Sequence, residues 1–249
     1  MQYKTCPKCK SNIDHGEKCD CDREKAHPKK TKQTNTHIGK VLTAPLTHEN
    51  ALIKRGYKHI AGVDEVGRGC VAGPVVACAV IMPPGLSIPG VNDSKLLNAS
   101  TREKLADSIK RAAIAYRVEF VEAAVIDEVG IQAAICFAMG RALRHIDTGG
   151  GKPGIALIDG KPLDLSIVPD IEQKYIVRGD SQSHSIAAAS ILAKVERDAF
   201  MVDMHERYPD YGFNQHKGYG TMYHYNAIGE NGLCDLHRRS FLKRLGAQA

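Results

Sequence analysis

The stretch HIAGVDEVGRGCVAGPVVACAVIM, residues 59–82, decides the reading of this chain. Two apolar, β-branched runs, 59–63 and 74–82, flank a glycine-rich turn, and Pro83 and Pro84 close the second run. Such runs read as neighbouring strands. Asp64 and Glu65 sit where the first run enters the turn. Burying a carboxylate among apolar neighbours either costs several kcal/mol or forces it to protonate, and two adjacent ones repel as well. A divalent cation supplies the missing opposite charge. On an ideal strand the two acids point to opposite faces. The turn must therefore bend the chain for both to serve one substrate, which gives Gly67 and Gly69 a mechanical role.

Two further acids extend the pattern. Asp159 ends the apolar run IALID, 155–159, ahead of Gly160, and Asp180 follows YIVRG, 175–179. Strand-like runs that end in an acid beside glycine place carboxylates along one sheet edge. Four carboxylates around one point suit hard, oxygen-seeking Mg²⁺ or Mn²⁺, and such sites perform in-line phosphoryl chemistry. Taken one at a time, each acid is also compatible with a plain surface position, and Asp180 with a helix N-cap. Beyond the acids, 116–121 and 174–178 read as strands. Helices are expected from Ser100 or Thr101, over 126–146, from Ser183 to about Tyr208 before Pro209, and over 221–231 and 235–245. This order gives an α/β fold: a mixed five-stranded sheet flanked by helices, followed by a helical C-terminal part.

The motifs D-E-V-G-R-G (64–69), N-D-S-K (92–95), L-I-D-G (157–160), G-D-S (179–181), A-S-I-L-A-K-V (189–195), Y-G-F (211–213), H-K-G-Y (216–219) and H-R-R-S-F (237–241) occur in order across roughly residues 58–245. Any one tripeptide is weak, but the ordered set resembles ribonuclease HII, the bacterial type 2 ribonucleases H. The resemblance implies a ribonuclease H-like fold and metal-ion hydrolysis of RNA in RNA–DNA hybrids. It also implies nicking 5′ of a single ribonucleotide in duplex DNA, with 3′-hydroxyl and 5′-phosphate ends. It assigns the catalytic, metal-holding acids to Asp64, Glu65, Asp159 and Asp180. It assigns the reader of the RNA–DNA junction to Gly67, Arg68 and Gly69, and the deoxyribose-packing ring to Tyr219.

The residues themselves say less about substrate contacts. Arg68, between two glycines, has room to approach phosphate or ribose, as would any surface arginine in a turn. Tyr219 offers an apolar face and a hydroxyl, as would a half-buried core tyrosine. Lys161 follows Asp159 directly, and Lys194 lies on the long helix after the small residues Ala187–Ala189. Both are candidate phosphate contacts, and solvated positions compete closely. Arg238 and Arg239 read equally as phosphate contacts or as ion-pair partners.

Composition narrows the class without deciding it. The 249 residues are 43% hydrophobic and 25% charged, with net charge +6, which suits a globular protein with a polyanionic partner. No apolar run approaches the ~20 residues of a membrane span, and MQYKTCPKCK lacks a secretory core, so a cytoplasmic protein with no membrane partner is expected. A monomer is the default. Cys6, Cys9, Cys19 and Cys21 crowd residues 1–22. The two-residue gap of C-P-K-C and the lack of a core point to a structural Zn²⁺ site, with His15 as an alternative ligand. Residues 23–50 read as a basic linker, and 51–249 as the catalytic domain with its C-terminal helices. Cys70, Cys78, Cys136 and Cys234 read as small core residues of a reducing compartment. Two rivals stand beside the leading reading. One is a binding adaptor without hydrolysis, which would have no use for four acids. The other is a different nuclease of the same fold, against which the G-R-G and H-K-G-Y elements weigh.

Overall fold

The computed structural model describes residues 4–5, 12–13, 42–149 and 151–243. The cysteines proposed as zinc ligands and most of the basic linker lie outside them. Within the first segment, β1 (Lys4–Thr5) pairs antiparallel with β2 (Asn12–Ile13). The main sheet comprises β3 (Ile60–Val66), β4 (Val75–Ile81), β5 (Ala115–Val121), β6 (Ile155–Asp159) and β7 (Glu172–Ile176), in the order β5-β4-β3-β6-β7. The β3–β4 and β4–β5 pairs are antiparallel, whereas β3–β6 and β6–β7 are parallel. This is the expected mixed five-stranded sheet.

The alternation of β4 shows how the layers form. Val75, Ala77, Ala79 and Ile81 face one core with Ala134, Ile135, Ala138, Met139, Ala142 and Leu143 of α4 (Ile131–His145). Val76, Cys78 and Val80 face another, with α2 (Ala99–Ala112) and the small residues Ala187, Ala188 and Ala189 of α5 (His184–Arg207). On β3, Ala61 and Val63 take the α4 side. Gly62 takes the α5 side, where an added Cβ would lie 2.1 Å from the backbone carbon of Ser185. The missing side chain lets helix backbone rest directly on the strand. Asp64, two residues on, shares that face.

Several boundaries differ from expectation for identifiable reasons. The helix expected over 126–146 is two, α3 (Ala123–Val129) and α4, bent by 119° at Gly130, whose φ of 80° no helix continues. No single helix among the described residues is long and apolar enough to cross a membrane. α2 starts at Ala99, one or two residues before the expected Ser100 or Thr101, capped by the Asn98 side chain accepting from the Thr101 amide. The 50/51 boundary falls inside α1 (Thr47–Lys54), whose buried Glu49 accepts from the Ser183 hydroxyl at 2.6 Å and the Ser185 amide at 2.9 Å, tying α1 to the start of α5. At the C-terminal end, α6 (Phe213–His216) and α7 (Met222–Asn231) pack around Tyr211 and Phe213. Of the helix expected over 235–245, the described residues, which end at 243, form only a 3₁₀ turn, Arg239–Phe241. There the backbone is spent on other partners: His237 bridges Ala72, and the Arg238 amide donates to the Val71 carbonyl at 2.9 Å.

Gly62→Ala should destabilise the protein by about 3 kcal/mol, roughly 6–12 °C of melting temperature, because helix and strand must separate. Gly229→Ala, on the exposed side of α7 with nothing within 4 Å of the new Cβ, should instead gain up to about 1 kcal/mol. Thermal melts of both variants test this. A harmless Gly62→Ala would show that the strand–helix contact does not set the packing distance.

Candidate active site

The four acids reach one end of the sheet from three elements. Asp64 and Glu65 lie in β3, Asp159 ends β6, and Asp180 sits in the 3₁₀ turn Gly179–Ser181 just before α5. β3 runs unbroken through both of its acids, and the bend comes only after Val66, at Gly67 with φ 87°. Asp64 and Asp180 are both only 6% exposed. Asp64 accepts the amide of Glu65 at 2.8 Å and is further held by the Ser190 hydroxyl of α5. Ser190 in turn meets the Ser94 hydroxyl at 2.9 Å. Asp159 accepts the Gly179 amide at 2.5 Å, which locks its carboxylate toward the 3₁₀ turn.

Burial pushes the Asp64 carboxyl well above the ordinary carboxylate range, and Asp159, Glu65 and Asp180 push it further. Burial also raises Glu65, to about 7, with Arg68 opposing and Asp159 adding. Asp180 rises to about 6, from burial and then from Asp93 and Asp159. Asp159 is raised by burial despite the amides of Gly179, Asp180 and Gly160. The four groups therefore form one electrostatic unit. Positive charge meets it at its rim: Arg68 pairs with Glu65 at 3.7 Å, and Lys95 pairs with Asp180 at 3.9 Å.

This donor set fits a hard divalent cation. The oxygens are the right type, and their burial and mutual repulsion are what such an ion would relieve. Their arrangement is open. Among the described residues no three His, Cys, Asp or Glu side chains are already gathered around a single ion position. Asp64, Glu65, Asp159 and Asp180 are the side chains that would hold the ion.

The expected substrate contacts divide. Lys194 is brought beside Tyr219, its ammonium 5.6 Å from the ring centre and 3.0 Å from Asp198. Gly67, Arg68 and Gly69 follow β3 directly, so the turn borders the acids. Lys161 is exposed beyond Gly160. Sequence reasoning gave no role to Lys95, Ser94 or Ser190, although the N-D-S-K and A-S-I-L-A-K-V motifs contain them. Of the imidazoles near Tyr219, it gave His216 a role as a polar donor beside the ring and gave none to His224 or His237. His237 accepts the Cys234 amide on Nδ1 at 3.0 Å, so its Nε2–H donates to His224 Nε2 at 3.1 Å. His224 Nδ1–H then donates to the Tyr219 carbonyl at 2.9 Å. His216, stacked 4.2 Å from His224, accepts the Gly218 amide on Nδ1 and donates Nε2–H to the Tyr211 carbonyl at 2.7 Å. Each ring has one bare nitrogen and is neutral. Burial agrees with this, lowering His216 and His237 to about 4 and His224 to about 3.

Comparison with known proteins matches this architecture. A family model described as Ribonuclease HII matches residues 61–244. The ribonuclease HII of Alkaliphilus metalliredigens is 46% identical over 200 residues, spanning 79% of this chain and 96% of that relative. The ribonuclease H2 of Pyrococcus horikoshii OT3 superposes with a TM-score of 0.63 at 24% identity, over 76% of this chain and 98% of its own. Bst-RNase HIII, solved in complex with Mn²⁺, superposes with a TM-score of 0.59 at 18% identity, over 77% of this chain and 70% of its own. The two structures speak for a ribonuclease H-like fold. The sequence matches, which run through all four acids, go further: this chain belongs to the ribonuclease HII family of metal-dependent endonucleases.

Proposed function

We propose that this protein hydrolyses the RNA strand of RNA–DNA hybrids and nicks duplex DNA 5′ of a single embedded ribonucleotide, leaving 3′-hydroxyl and 5′-phosphate ends. The observation that carries this is the adjacency of four electrostatically linked carboxylates to the Gly67–Arg68–Gly69 turn. Asp64, Glu65, Asp159 and Asp180 hold Mg²⁺ or Mn²⁺, the latter being the ion in the Bst-RNase HIII structure. Such ions, when bound, activate water and offset charge on the scissile phosphate.

The chain's own residues do the rest. Ser190 and the Glu65 amide fix the orientation of Asp64, and the Gly179 amide fixes that of Asp159. Lys95 and Arg68 offset the acids' charge from either side. With a cation held by the acids, both side chains would be available to substrate phosphates. The glycine turn brings Arg68 and its neighbouring amides to the ribose, where the 2′-hydroxyl is recognised and takes no part as nucleophile. A duplex of DNA alone leaves those polar groups unmatched, at about 1–3 kcal/mol each. Tyr219 offers its ring to the following sugar, with Lys194 above it.

The raised carboxyls make a stability prediction. A group whose pKa is raised by folding contributes stability below its unfolded value, and that contribution is lost as pH rises toward the folded one. With Asp64 held well above its ordinary range, chiefly by burial, the loss begins at about pH 4 and grows toward neutrality. The metal-free protein should therefore melt below Asp64→Asn by an amount that widens between pH 5 and pH 7.5, at about 2–4 °C per kcal/mol. Mn²⁺ should raise the melting temperature of the wild type alone. The histidine set has the opposite sign but is common to both proteins and cancels. Equal melts at pH 7.5 would show that the acids do not strain the fold.

A direct activity test uses a DNA duplex holding one ribonucleotide, an all-DNA duplex and an RNA–DNA hybrid, each with Mg²⁺ or Mn²⁺. The wild type should nick 5′ of the ribonucleotide and cut the hybrid, while leaving the all-DNA duplex intact. Asp64→Asn should bind without cutting. Retained binding without any cleavage by the wild type would favour the adaptor reading instead.

A further inference from the structure

Two arginines are fully buried behind the turn that carries Arg68, and they hold backbone carbonyls. Arg197, on α5, donates from Nε to the Pro74 carbonyl at 2.9 Å, from Nη2 to that of Ala72 at 3.1 Å, and from Nη1 to that of Lys217 at 2.8 Å. Arg238 donates from Nε to the Gly73 carbonyl at 2.9 Å and from Nη1 to that of Arg68 at 3.2 Å. Its remaining nitrogen, Nη2, is buried without a hydrogen-bond partner among the described residues. Five carbonyls from two separated segments, 68–74 and 217, thus converge on two guanidinium forks.

The surroundings are shaped for this. A Cβ on Gly67 would lie 2.2 Å from Arg197 Nε, and one on Gly218 would lie 2.3 Å from the Ala72 carbonyl oxygen. The amides of Val71 and Ala72 both donate to the Gly218 carbonyl, at 2.9 and 3.1 Å. Lys217 has φ 51°, a left-handed backbone uncommon outside glycine, and its carbonyl is the one Arg197 grips. A trans peptide points its carbonyl and the next N–H in opposite directions. Holding the Arg68 carbonyl inward on Arg238 therefore turns the Gly69 amide to the outside of the turn.

We propose that Arg197 is a positioning residue for substrate selection. Its single rigid fork sets the spacing between the turn that carries Arg68 and the turn that carries Tyr219, so that the two act as one gauge for a ribonucleotide followed by a deoxyribonucleotide. This rests on the functional reading above. Lysine keeps the charge but loses the fork, so Arg197→Lys separates geometry from charge.

The experiment measures kcat/KM for Arg197→Lys on the single-ribonucleotide duplex and on an RNA–DNA hybrid, with Mn²⁺, together with amide hydrogen exchange of the free protein. Leu143→Ala, in the α4 core on the other face of the sheet, serves as a variant that is destabilised without touching either turn. Arg197→Lys should lose at least tenfold more on the single-ribonucleotide duplex than on the hybrid, and exchange should quicken in 68–74 and 217–219 while α4 stays protected. Leu143→Ala should keep the wild-type ratio. Should Arg197→Lys not fold, Gly218→Ala, which wedges the turns apart against Ala72, should shift the ratio in the same direction. A wild-type ratio in the variant that folds, or unchanged exchange in both turns, overturns the proposal. If the wild type itself fails to nick the single-ribonucleotide duplex, the functional reading falls, and exchange alone decides whether Arg197 joins the turns.

Discussion

The repulsion among Asp64, Glu65, Asp159 and Asp180 is the constraint to which the surrounding structure answers. A sheet edge normally tolerates an acid by letting water reach it. Here Asp64 points to the α5 side of β3, two residues from Gly62, where helix backbone rests on the strand. The close contact that makes the sheet–helix layer dense also strips solvent from the carboxylate. Desolvation is accordingly the first cause of the upward shift in all four acids. A fold selected for stability alone would not place them so. The arrangement is useful only if a mobile cation completes it, and the ion pairs that Lys95 and Arg68 make with Asp180 and Glu65 are partial substitutes.

Much of this was legible in the chain, because burial patterns and punctuation carry the signal. The run VVACAVI alternates between two cores and so could be read as a strand covered on both faces. Asp159 and Asp180 stood out because each follows an apolar run beside glycine. Lys95 and Ser190 gave no such signal. A lysine in N-D-S-K and a serine on a helix are ordinary until the tertiary fold brings them to the acids. The 126–146 helix was misread because its apolar spacing continues across Gly130, and periodicity cannot register a 119° bend in the backbone. The 235–245 segment was misread for a related reason. Its composition permits a helix, but Arg238 finds better partners in carbonyls of the 68–74 turn, more than 160 residues away in sequence. Local propensity loses to such contacts.

The same fold thus buries charge of both signs, and treats the two differently. The arginines are met by fixed carbonyl dipoles supplied by the chain. Arg238 falls only to about 10, chiefly through burial, and so stays charged at neutral pH. The acids are met by few such dipoles, and their proton affinities rise to the neutral range instead, about 7 for Glu65 and about 6 for Asp180. A buried charge that the backbone satisfies is a permanent part of the scaffold, since no solution species is needed to complete it. A buried charge that the backbone leaves unsatisfied must exchange with solution, taking up protons or cations as conditions dictate. The first kind of site holds turns in place and the second performs chemistry. In this protein they stand on either side of one glycine turn, so the residue that meets substrate, Arg68, is anchored by its own carbonyl to the rigid set and faces the exchangeable one with its side chain.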